Sequence, residues 1–199
     1  MKQKELEIFL QKVPSFDKPM PSLEQYQTPA NIAAEMIFIA YSFEDIENKI
    51  VADLGCGTGI LSVGAAIMGA KKVIGVDIDQ NCIERAEEFR KNHSLEISFI
   101  VSDIRDVSLK VDTVIMNPPF GAQKGNINAD RIFLEKSMDI ASTIYSLHLT
   151  KTLNFIRQLV ESKGREINFE KEYRFPIRRM FFFHNREVSY QYISLIRIV

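Results

Sequence analysis

The sequence predicts an α/β fold: a seven-stranded, mostly parallel sheet with helices on both faces and a C-terminal antiparallel hairpin. Three observations carry this. Five short apolar runs of strand length alternate with segments of helical periodicity, the cadence of parallel strands joined by right-handed crossovers. The last two strand-like segments have no helix between them and should therefore pair antiparallel. Finally, 199 residues with 46% hydrophobic side chains suffice for one substantial core and are short for two. We expect a single domain over 1–199, with a helical extension at 1–41 and the sheet core at 50–199.

In chain order, Met1 to Pro14 alternates Lys, Gln and Glu with Leu6, Ile8, Phe9, Leu10 and Val13. It reads as a short amphipathic helix without the uninterrupted apolar stretch of a signal peptide. Pro14 to Pro21 is linker-like. Thr28-Pro29 opens a second helix, Ala30 to Tyr41, with Thr at the N-cap and Pro at the first helical position, where no donor is wasted. The buried parallel strands are Ile50 to Leu54 (IVADL), Val73 to Asp77 (VIGVD), Ile97 to Val101 (ISFIV), Thr113 to Met116 (TVIM) and Thr143 to Leu147 (TIYSL). Helical segments fall at Leu61 to Met68, Asn81 to Asn92, Arg131 to Ala141 and Lys151 to Glu161. Glu166 to Phe175 and Glu187 to Val199 form the hairpin, with Met180 to Phe183 in its core. Ile97 to Val101 is expected at an exposed edge, apolar enough to recruit a partner by strand addition.

Composition narrows the setting. No apolar run reaches the roughly 20 residues of a membrane-spanning helix, so we expect a soluble, cytoplasmic protein with no membrane association. Cys56 and Cys82 form neither a metal-ligand cluster nor a disulfide framework, which points to a reducing compartment. His93, His148 and His184 have no ligand spacing among them, and His148 reads as structural. The formal net charge is −1, unevenly spread. From Lys151 onward ten basic residues face five acidic, a net of +5, and the rest has fifteen basic against twenty-one acidic, a net of −6. That asymmetry is compatible with a polyanion on one side and equally with solvated faces.

Asp53-Leu-Gly-Cys-Gly-Thr-Gly59 follows the first strand and leads into a helix. Gly55, Gly57 and Gly59 let the backbone turn sharply and let a ligand approach without a Cβ in the way. A dinucleotide fingerprint would place its third glycine one residue later, where Ile60 stands, so the spacing counts against a pyrophosphate. Asp53, at the strand end, suits a cationic group better than a phosphate, and a ligand carrying an amino acid and a sulfonium fits both facts. Asp77 ends the second strand where a carboxylate accepts bonds from ribose hydroxyls, with Asp79 two residues on as the competitor. Asp103, followed by Ile104, lies just past the third strand, where it can accept from an adenine amino group. All three acids fall at the carboxyl edge of successive strands, where open parallel sheets bind ligands.

The fourth strand runs into Asn117-Pro118-Pro119-Phe120. An exocyclic amine conjugated to a ring or carbonyl is a poor nucleophile, and acceptors aimed at its two N–H bonds favour the pyramidal state that attacks a methyl donor. Prolines lack an N–H, so this corner presents carbonyls, and Pro118 holds Asn117 extended. The Asn117 side-chain oxygen and the Pro118 carbonyl are the expected acceptors, and Phe120 the ring on which a base stacks. A plain structural strand exit is the competing reading. Gly121 to Asp130 follows as a polar loop, either a substrate lid or an ordinary solvated loop. Lys124, Arg178, Arg179 and Arg186 are candidate phosphate contacts.

Together DLGCGTG, the acid of VIGVDID, the Asp of VSDI and NPPF resemble the class I S-adenosylmethionine-dependent methyltransferases, a Rossmann-like family. Leu23-Glu-Gln-Tyr-Gln-Thr-Pro29, Asp112 to Gly121 and Ile144-Tyr-Ser-Leu-His148 are similar to the methyltransferase-like protein 5 group of ribosomal RNA adenine methyltransferases. Pro176 to Arg186 matches that pattern only loosely. The resemblance implies S-adenosyl-L-methionine as cofactor, transfer to the N6 amine of an adenine in structured RNA, ribosomal above all, and Gln25, Tyr26 and Thr28 folded back over the cofactor. It also implies a small zinc-binding activator protein as a partner. The amine must be unpaired or extruded to react. N-methylation of a protein glutamine amide or of a DNA adenine is the alternative, although the chain has no spare residues for a DNA-recognition domain and release-factor glutamine enzymes carry Tyr where Phe120 stands. A catalytically silent cofactor-binding scaffold is the alternative from another class.

Overall fold

A computed structural model describes residues 1–120, 129–178 and 188–199, with side chains over the same range apart from 21, 176–178, 188 and 189. The strands are β1 (Ile50–Leu54), β2 (Lys72–Asp77), β3 (Ile97–Val101), β4 (Val111–Met116), β5 (Ala141–Leu149), β6 (Ile167–Arg178) and β7 (Val188–Ile198). They form one seven-stranded sheet in the order β3-β2-β1-β4-β5-β7-β6. The first five run parallel, while β7 is antiparallel to both β5 and β6. β7 thus inserts beside β5 and leaves β6 as the outer edge. β5 is longer than the predicted Thr143–Leu147 because it is laddered on both sides, to β4 and to β7.

Successive side chains point to opposite faces, and both faces are covered. Val51, Val73, Ile115, Tyr145 and Leu195 join one core layer with α1 (Gln3–Leu10), α2 (Ala30–Ser42) and α3 (Ile60–Ile67), to which α4 (Gln80–Asn92) adds Phe89. Ala52, Ile74, Val114, Ile144 and Ile196 join the other with α5 (Ala129–Ile140) and α6 (Leu153–Ser162). The N-terminal helix is shorter than Met1 to Pro14, ending at Leu10, although Val13 beyond it is buried in the same core layer. Tyr145 Oη donates to Asp45 Oδ2 at 2.6 Å and Arg197 Nε to the same oxygen at 2.8 Å. This half-buried knot ties β5 and β7 to the segment entering β1.

One local expectation is corrected. Pro29, not Thr28, is the N-cap of α2, and no side chain caps it. Thr28 Oγ1 instead accepts from Asn117 Nδ2 at 3.0 Å, a contact across 89 residues of sequence. The loop proposed as a lid, apart from Ala129 and Asp130, and the Met180–Phe183 stripe lie outside the described residues.

The chain proceeds from β1 outward through β2 to β3 and then crosses back to place β4 on the other side of β1. At such a reversal the connections leave in opposite directions and a crevice opens at the carboxyl ends of the two strands.

Candidate active site

A cleft of about 320 Å³ occupies that crevice, lined by Asp53, Gly55, Gly57, Asp77, Asp103, Ile104, Asn117 and Pro119 among others. Gln25, Tyr26 and Thr28 line it from the segment ahead of α2. Asp53 is 1% exposed and accepts from the Ser62 N–H at 2.9 Å and hydroxyl at 2.6 Å. Burial raises its pKa to about 7; the two Ser62 bonds oppose the rise and the Asp77 carboxylate adds to it.

The glycine loop is held by its own donors. Gly55 and Cys56 N–H both reach the Val76 carbonyl, Gly59 N–H the Cys56 carbonyl and Gly57 N–H the Asp77 carboxylate at 2.7 Å. These amides are therefore not aimed at a phosphate. Left-handed φ at Gly55 (+70°) and close approach explain the glycines: a Cβ there would stand 2.9 Å from the Phe133 ring, and one at Gly57 3.0 Å from the Phe16 ring.

Of the two acids after β2, Asp77 faces the cleft. Its other oxygen accepts from the Asp79 N–H at 2.9 Å, and burial raises its pKa against these N–H bonds. Asp79 is turned toward the N-terminal segment, accepting from Gln25 Nε2 at 2.7 Å and Cys82 Sγ at 3.2 Å. Burial alone would raise its pKa, but the bonds from Gln25, Cys82 and the Asn81 N–H outweigh it and hold it low. Asp103 is chelated by the Arg105 guanidinium, Nε reaching both oxygens at 3.0 Å, and these bonds lower its pKa. An adenine amine there would share oxygens already engaged.

At the corner, Asn117 Nδ2 is fixed by Thr28 while Oδ1 is buried and has no hydrogen-bond partner. Phe120 N–H donates to Glu24 Oε2 at 2.9 Å. Pro118 and Pro119 have no N–H, and that contact occupies the Phe120 donor. Pro118 is buried. Phe120 packs on the first core layer, its ring edge-on to Phe175 at 6.1 Å and 90°, and it stands beside the cleft rather than in its wall. Gly59 caps α3 with φ +87°.

Sequence reasoning missed Phe16, Glu24 and Phe133, all of which line the cleft. Glu24 is 6% exposed with φ +48°, an uncommon backbone state for a non-glycine residue. It sits inside the LEQYQTP stretch, where nothing local distinguishes it from a solvated Glu. His148 lies in β5 outside the cleft, within 2.8 Å of Ser146 Oγ, and burial lowers its pKa to about 4. It is neutral at physiological pH. Arg178 ends β6, its side chain not among those described, and Lys124, Arg179 and Arg186 lie outside the described residues.

A doubly wound sheet with acids closing β1 and β2, a third just past β3 and an acceptor-rich Asn-Pro-Pro-Phe turn after β4 is the architecture of a methyltransferase. A family model described as methyltransferase small domain matches residues 33–143, more than half of the chain, and the chain belongs to that family. It is 40% identical over 210 residues to protein MJ0284 of Methanocaldococcus jannaschii, covering 100% of this chain and 94% of that one. It is 38% identical over 207 residues to the rRNA N(6)-adenosine-methyltransferase METTL5 of Danio rerio, covering 99% and 98%. The crystal structure of protein PH1948 from Pyrococcus horikoshii superimposes with a TM-score of 0.92 at 38% identity, over 100% of this chain and 97% of that one.

Proposed function

We propose that this methyltransferase moves a methyl group from S-adenosyl-L-methionine to the N6 amine of an adenine in structured RNA, with ribosomal RNA the leading substrate. The observation that carries the reading is the Asn117 amide. Its nitrogen is anchored on Thr28 and its oxygen is buried without a partner, an unmet acceptor worth about 1–3 kcal/mol to satisfy. An amine N–H supplies the missing donor. The substrate class follows from the near full-length likeness to the Danio rerio enzyme named for rRNA adenosine methylation.

The cleft fits the cofactor. Asp53, Asp77 and Asp103 give it an acidic lining, and the loop amides are spent internally, so it favours a cationic ligand over a pyrophosphate. Bound S-adenosylmethionine supplies an electrophilic methyl carbon on its sulfonium. Asp53, with its pKa near 7, is drawn to the ionised form by an ammonium group beside it. Asp77 lines the cleft, and each of its oxygens, accepting one backbone N–H, has a further lone pair to accept from a ribose hydroxyl. The corner accepts both amine N–H bonds, through Asn117 Oδ1 and the Pro118 carbonyl, and turns the nitrogen lone pair toward the methyl group. Glu24 keeps the Phe120 N–H from competing. Holding donor and acceptor in line accounts for most of the acceleration. No dedicated base is needed, because the methylated ammonium is acidic enough to lose its proton to water.

The edge position of β3, with Ile100 40% and Val101 49% exposed, supports a partner that adds a strand there. A small zinc-binding activator is the partner we propose. The substrate assignment is tested by labelled methyl transfer into total RNA, DNA and protein from a deletion strain, followed by nucleoside mass analysis. N6-methyladenosine in RNA is the expected product; label confined to a glutamine amide or to DNA overturns it.

A further inference from the structure

The pairing of β7 with β5 ends at Ile193 opposite Leu149, whereas its pairing with β6 continues to Val188 opposite Arg178. Five residues of β7 therefore run on beyond the end of β5, about 17 Å at the usual rise per residue. Because β5 is parallel to β4, this two-stranded arm projects from the same sheet edge that bears Asn117. Its two faces differ. One buries Phe175, whose ring meets the Phe120 ring at 6.1 Å, so the arm abuts the corner directly. On the other face α6 covers only the base, where Arg157 Nη2 reaches Glu170 at 3.0 Å. Beyond it Tyr190 and Tyr192 stand 48% and 60% exposed, and the Arg174 guanidinium lies over the Tyr190 ring at 3.7 Å from its centroid.

Large aromatic faces left in water beside a cation, on an arm next to a base-modifying corner, match the stacking platforms of single-stranded nucleic-acid sites. The charge agrees: the chain from Lys151 onward carries a net of +5. We propose that the outer face of this arm, Arg174 with Tyr190 and Tyr192, docks unpaired RNA nucleotides flanking the target adenine. Bases stack on the tyrosines, and Arg174 pairs with the backbone phosphate while keeping its ring contact. The inference rests on the RNA reading of the site and adds where the strand beside the target is held. Arg174 sits across from Tyr192 in the ladder, so the cation and both rings form one continuous surface.

The test measures affinity for a fluorescently labelled, adenine-containing single-stranded RNA by anisotropy, beside cofactor affinity by calorimetry. The double variant Tyr190→Ala/Tyr192→Ala should bind the RNA at least about thirtyfold more weakly, as loss of stacking at two bases implies. Tyr192→Phe, which keeps the ring, should bind as the parent does. Arg174→Gln should lower the salt dependence by about one phosphate contact. Cofactor affinity should be the same in all variants. Unchanged RNA affinity in the double variant, with the parent still methylating RNA, overturns the docking arm alone. Absence of RNA binding and RNA methylation in the parent overturns the arm together with the reading beneath it.

Discussion

Asn117 is held at one end of its amide and open at the other, and that asymmetry makes it a device rather than a strand exit. The nitrogen faces the Thr28 hydroxyl, and the oxygen lies on the opposite side of the amide. Asn117→Ala should therefore lower methyl transfer by about 100-fold or more, the scale of losing one preorganised group, while cofactor affinity changes little; unchanged turnover removes Asn117 from the chemistry. Asp53 makes a second prediction. Its folded pKa of about 7 lies above the ordinary value of 3.8, so the folded state holds the proton more tightly than the unfolded chain. Stability from this group is fully present below about pH 4, falls as pH rises toward 7 and is lost above it, by about 4 kcal/mol at most. Asp53→Asn removes the ionisation, so the stability of the parent relative to the variant should decline across that window. Parallel melting curves between pH 4 and 7 would refute this.

The glycine loop is controlled by an element it does not belong to. Phe99 projects inward from β3, and its ring would stand 2.9 Å from a Cβ at Gly59 and 2.5 Å from one at Gly75 in the middle of β2. Gly75 therefore lets a ring from the edge strand reach under the cofactor turn. Gly75→Ala should cost about 1–3 kcal/mol, the usual range for overpacking, read as a lowered denaturation midpoint. An unaltered midpoint would mean that the ring swings away freely. The segment before α2 is likewise tertiary in its logic. Glu24, Gln25 and Thr28 spend their side chains on Phe120, Asp79 and Asn117, elements that follow far later in the chain.

Across the whole molecule the two sheet edges are unlike. The β6 edge is extended into the arm, while β3 is short and exposes Ile100 and Val101. An uncovered apolar edge is a template for another chain. Ile100→Lys, on a solvent-facing position of β3, should leave the isolated fold intact and abolish capture of a strand-adding partner, measured by co-purification and light scattering. A monodisperse, fully active monomer at low concentration argues against any such partner. Between the edges, the Arg197, Asp45 and Tyr145 knot joins the base of the hairpin to the parallel half of the sheet.

Periodicity and local chemistry determined the seven strands, the loop glycines, the acids at the strand ends and the Asn-Pro-Pro-Phe corner, because each is written within a few consecutive residues. The resemblance carried by those short stretches also pointed to Gln25, Tyr26 and Thr28. Only the tertiary structure decided that Thr28 serves Asn117 instead of capping a helix, that Asp77 and not Asp79 faces the cleft, and that Glu24, Phe16 and Phe133 belong to its wall. It also set Phe120 against Phe175 at the base of an arm. Each of these depends on partners distant in sequence, and a side chain's choice among competing hydrogen-bond and packing partners is settled by which of them the completed sheet brings within reach.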